Sequence, residues 1–176
     1  MNGILHLGAL LPAAIGVGAL VGMRRDAGLP EILAAALMLA GMTDAMTVSL
    51  LPPVVWFAVL LAAGLILAGA RRRMPIPTAR PGSMLSTHLA LGVVTTATLI
   101  LLMPTMSSSA IAVMSPSHAH GAGGGSAMTE VLTAGLALGS VVLAVVALRA
   151  ERSWLHRIHH STMCLSTVAM CAIVMI

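Results

Sequence analysis

Apolar runs of about twenty residues recur from one end of this chain to the other, the length of helix that covers a bilayer core of roughly 30 Å. In hydrocarbon a segment must satisfy its own backbone polar groups, so each run is expected to be a helix. The runs lack the period-two alternation of a transmembrane barrel. Of 176 residues, 59% are hydrophobic and only 8% are charged. Soluble domains carry roughly 25% charged residues, so the composition argues against a water-soluble fold.

The expected architecture is all-α, one integral membrane domain over 1–176, built as a polytopic bundle of six spans with five as the fallback. The spans fall at about 4–23, 31–51, 54–70, 84–103, 130–148 and 159–176. A Gly- and Ser-rich stretch without charges, 107–128, reads as a flexible outer loop. The first run has its charges after it and none before it, unlike a cleaved signal peptide.

The second run is the weakest, because it holds Asp44 and several hydroxyls. The arginines support it. Arg24 and Arg25 follow the first run, Arg71, Arg72, Arg73 and Arg80 the third, and Arg149, Arg152 and Arg157 the fifth. Only an even count of crossings between clusters puts them all on one side, the cytoplasmic side by the positive-inside rule. Both termini are then expected outside. A formal net charge of +4 carried on such clusters is a topology signal and does not imply nucleic acid. Trp56 and Phe57 are expected near the outer interface and Trp154 near the inner one.

Gly18-x-x-x-Gly22 and Gly135-x-x-x-Gly139 match the small-xxx-small spacing for close helix approach. The two cysteines, Cys164 and Cys171, lie about 10 Å apart along one helix, too far for a disulfide. Catalytic signatures such as G-x-S-x-G, H-E-x-x-H or a phosphate-binding loop are missing. The acids are not paired in sequence, and a non-enzymatic protein is expected.

The final stretch, "LHRIHHSTMCLSTVAMCAIVMI", carries the most chemistry. On a helix, His156, His159, His160, Met163, Cys164, Met170, Cys171 and Met175 share an arc of about 160°. Imidazole, thioether and thiolate are ligands of Cu(I) and related soft ions. His159, His160, Met163 and Cys164 are the expected donors, with His88, at similar depth in the fourth run, or His156 assisting. Snorkelling histidines and gap-filling methionines would give the same string for packing alone. His118-x-His120 in the Gly-rich loop offers a further pair of donors.

Asp44 is the second candidate. It lies about 20 Å beyond Glu31 on helix rise. A carboxylate at a span centre costs roughly 2.5–3.5 kcal/mol to insert, and such an acid has a partner. His6 is the titratable side chain at comparable depth. Met38, Met42 and Met46 recur at steps of four as a packing stripe, on which Asp44 does not lie.

The blocks "LMLAGMTDAM" and "HHSTMCLSTVAMCAIVM" resemble the Met-rich helices of a family of small actinobacterial polytopic membrane proteins, in which His or His-His precedes regularly spaced methionines. That family is a domain of unknown function, so the resemblance implies a multi-pass fold and lends no activity. Glu31 stands here where the family has a histidine before the first Met block. With the lysine-free, Ala/Gly/Arg-rich composition, it implies a bacterial inner-membrane protein. The expected partners are the lipid bilayer and a second copy or a larger membrane complex. The readings kept open are soft-metal handling with copper as the ion, an accessory subunit, and a proton-coupled transporter using Asp44 and His6.

Overall fold

The computed structural model describes residues 2–24, 27–73, 83–103, 122–151 and 153–175. Among these the chain is all-helical: α1 Asn2–Gly22, α2 Leu29–Thr43 continued by a π turn over Asp44–Val48, α3 Pro53–Arg73, α4 Ser83–Leu102, α5 Ala122–Ala150 and α6 Trp154–Met175. His118 and His120 lie outside the described residues. So do Arg25, Arg80 and Arg152, and the segment 104–121.

Local chemistry sets the boundaries. Gly28 is extended before α2, Pro30 fits the first turn where no N–H partner is needed, and Glu31 complements the N-terminal dipole. The α2 helix ends in the π turn, closed by Ser49 N–H to Asp44 O at 2.7 Å, with Ser49 left-handed at φ 55°. The second run therefore stops at Val48 and not at Leu51. The fifth helix begins at Ala122, so 122–128 is helical where a loop was expected. Once a long apolar helix is nucleated, each added residue gains a hydrogen bond, which carries it back through the glycines.

Neighbouring helices alternate in direction. In the α1–α6 pair, His159 bonds the carbonyl of Gly16 and Ser166 that of Ala9, an antiparallel register. In α4 and α6, His88 meets His160 near both N-termini, so these two run together. Gly64 of α3 faces Val93 and Val94 of α4, while Gly41 of α2 faces Trp56 and Ile100. As a result Arg24, the α3 C-terminus, Arg149 and Arg157 gather at one end of the bundle, and Asp44 and Trp56 at the other.

Leu20, Met42, Leu60, Leu89, Val93, Ile100 and Met170 are fully buried. So are polar side chains: His159 and His160 at 0% exposure, and Ser166 at 2%. Outside, Ile4, Ile66, Val131 and Leu138 are 67–78% exposed. Apolar outside with polar groups within suits hydrocarbon as the surrounding solvent. Among the described residues three helical stretches are long and apolar enough to cross a membrane: Leu29–Val48, Ala127–Ala150 and Trp154–Met175. The apolar parts of the others, His6–Gly22, Pro53–Gly69 and Thr87–Leu102, are shorter. The segment containing Asp44 is thus one of the three.

The expected glycine contacts are placed differently. A Cβ added to Gly18, Gly135 or Gly139 would meet nothing within 4 Å, and one on Gly22 only Leu155 at 4.0 Å. The close approaches are at Gly16, 2.8 Å from Met163 Sδ, and at Gly41, 3.0 Å from Trp56 Cε3. Met38, Met42 and Met46 are all buried in the core, as a packing stripe would be.

Candidate functional site

Near the arginine end, α4 and α6 bring their histidines together. The rings of His88 and His160 meet edge to face with centroids 4.4 Å apart, and those of His159 and His160 at 5.5 Å. His159 Nδ1 lies 2.9 Å from Gly16 O. A carbonyl only accepts, so Nδ1 carries the proton and Nε2 keeps its lone pair. Nε2 of His159 is buried and has no hydrogen-bond partner. The same holds for Nδ1 of His88 and both nitrogens of His156 and of His160. A buried polar atom left without a partner costs about 1–3 kcal/mol, so a group of them calls for an explanation.

A cavity of about 30 Å³ opens between α2, α4, α5 and α6 beside these rings. Met38, His88, His159, Met163 and Cys164 line it. Thus His88, His159, Met163 and Cys164, four of the side chains singled out in the sequence, share one space. His160 is not on the wall but stands against His88, and His156 lies one turn further out, its Nδ1 3.6 Å from Glu151 Oε2. Met38 was not among the expected donors. Its position on the Met stripe of the second run was the available signal. Among the described residues no group of three or more His, Cys, Asp or Glu is arranged to hold a metal ion.

Asp44 occupies the opposite end. Its carboxylate accepts Leu50 N–H at 2.8 Å, Leu51 N–H at 3.1 Å and the Trp56 indole N–H at 2.6 Å. All of these are donors, so the acid is used as a carboxylate acceptor. None of these bonds comes from His6, the partner expected from depth. The acid pins the π turn to the start of α3. An open groove lined by Leu39, Thr43, Val48, Leu50 and Trp56 runs beside it and is almost wholly apolar.

No family model, no curated protein and no solved structure matches this chain.

Proposed function

We propose that the chain is a non-enzymatic, six-span protein of a bacterial inner membrane, with both termini outside, that handles or senses a soft metal ion. The observation that carries this reading is the sharing of one small cavity by His88, His159, Met38, Met163 and Cys164, with unpartnered imidazole nitrogens around it. Imidazole, thioether and thiol are a soft-ion donor set. Gathering the described arginines at one end supports the six-span topology through the positive-inside rule.

The test is metal retention by the full chain in detergent after loading with Cu(I) or Zn(II), beside a His159→Ala/His160→Ala/Cys164→Ala variant. Bound metal in the wild type and its loss from a variant of unchanged helicity and elution volume is the expected result. No metal in the wild type, or equal metal in the variant, overturns the reading.

A second reading, an accessory subunit, is favoured by α5. Only 17% of its span is buried, and the open glycines Gly135 and Gly139 lie among exposed Val131, Leu138 and Val142. It predicts a partner that co-purifies in mild detergent and is lost on Gly135→Leu. The transporter reading has less support, since the Asp44 carboxylate is engaged in holding a turn.

A further inference from the structure

Resting on the soft-metal reading above, we infer that the cavity takes a single monovalent ion, Cu(I), on His88, His159, Met38 and Met163. Charge is the first reason. Among the described residues no acidic side chain lines the cavity, and Glu151 faces His156 instead. The donors there are imidazoles, thioethers and one thiol, and of these only the thiol can supply a negative charge. Transferring an ion from water into a low-dielectric interior is costly, and in the Born picture the cost grows with the square of its charge. A shell of neutral ligands therefore accepts one positive charge far more readily than two.

Donor type is the second reason. Zinc sites draw their ligands from Cys, His, Asp and Glu. Among the described residues no three of these are arranged for an ion, so a zinc set is incomplete here. Met38 and Met163 line the same cavity, and thioether sulfur is a ligand for Cu(I) and not for zinc.

Placement is the third. The Nδ1–H of His159 is held by the Gly16 carbonyl at 2.9 Å, which leaves Nε2 buried, unpartnered and free to bind. This is the outer-sphere arrangement that orients metal-binding histidines. The same glycine lies beneath Met163, whose Sδ is 2.8 Å from where a Cβ on Gly16 would be. One stretch of α1 backbone thus sets both a nitrogen and a sulfur. The volume, about 30 Å³, is room for about two water-sized groups, enough for a bare ion and too small for one with its full hydration shell.

Full-length protein in detergent, kept anaerobic, is titrated with Cu(I) against a chromophoric Cu(I) chelator and separately with Zn(II) against a zinc indicator. Expected are one Cu(I) per chain, tighter binding of Cu(I) than of Zn(II), and a weakening of Cu(I) by about tenfold or more in Met38→Leu/Met163→Leu. That double change conserves volume, so the fold is kept. X-ray absorption on the wild-type Cu(I) form, which needs no variant, is expected to show both nitrogen and sulfur neighbours. Zn(II) bound as tightly as Cu(I), an unchanged double-leucine variant, or a shell without sulfur overturns this inference and leaves soft-metal handling standing. Failure of the wild type to bind either ion overturns both.

Discussion

The indole N–H of Trp56 reaches the carboxylate of Asp44 at 2.6 Å, across the turn that joins α2 to α3. With the amides of Leu50 and Leu51 it makes Asp44 the centre of a knot at one end of the bundle. Trp56→Phe removes one donor and leaves the others. Asp44→Ala strands all of them, and Asp44→Asn keeps one acceptor oxygen. The expected order of thermal unfolding midpoints in detergent is therefore wild type, then Trp56→Phe and Asp44→Asn, then Asp44→Ala. Combining Trp56→Phe with Asp44→Ala adds little beyond the latter, because the shared bond is already lost. An Asp44→Ala protein as stable as wild type would contradict this account.

Glycines two residues apart on α1 are expected to respond in opposite directions. Gly16→Ala places a methyl 2.8 Å from Met163 Sδ and 2.9 Å from Thr162 Oγ1. Overpacking of that kind costs about 1–3 kcal/mol. Gly18→Ala meets nothing and gains about 0.5–1 kcal/mol from the lower backbone entropy of alanine. Parallel denaturation of the two variants in one detergent checks the contrast. Only Gly16→Ala is expected to lower metal retention as well.

Ser166 Oγ–H donates to Ala9 O at 2.8 Å between α6 and α1. Interhelical bonds of this type average about 0.6 kcal/mol in membranes, and Ser166→Ala is expected to cost about that much. Ser166→Leu, which also forces a larger side chain against Met42, is expected to cost more.

Removing an unpartnered histidine is expected to separate stability from binding. Both nitrogens of His160 are buried without a partner, so His160→Leu removes a cost of about 1–3 kcal/mol and keeps or raises the unfolding midpoint. Metal retention is expected to fall, since His160 packs against His88. A destabilised His160→Leu protein would contradict the reading of that ring as an unpartnered cost.

Topology is checked with single cysteines in a Cys164→Ser/Cys171→Ser background. With six spans, an impermeant maleimide on intact cells labels Leu51→Cys and spares Gly28→Cys. Labelling of both or of neither contradicts the crossing of α2.

Much of α6 was legible because helical periodicity is local. Projection put His156, His159, His160, Met163, Cys164, Met170 and Cys171 on one face; all of these but the half-buried Cys164 are buried, with Ser166 and Thr167 beside them, while Leu165 is 57% exposed. Met175, assigned to the same face, is 50% exposed, since it lies at the end of the helix. What the string did not contain was which turns of other helices meet that face. The spacing singled out Gly18, whereas the α1–α6 packing makes Gly16 the contact. Met38 joins His159 from more than a hundred residues away, through packing that no local pattern encodes. The donors to Asp44 are near in sequence, but they arrive through a π turn and a left-handed serine, for which hydropathy has no signature.

The paired bonds between α1 and α6 have a mechanical consequence. Ala9 and Gly16 are seven residues apart, as are the His159 and Ser166 that bond to them, so both contacts fall two turns apart on each helix. The two helices act as a rack and its pawl. A slide along the axis breaks both bonds together, and a tilt about either one pulls the other apart, so the pair is held as one body.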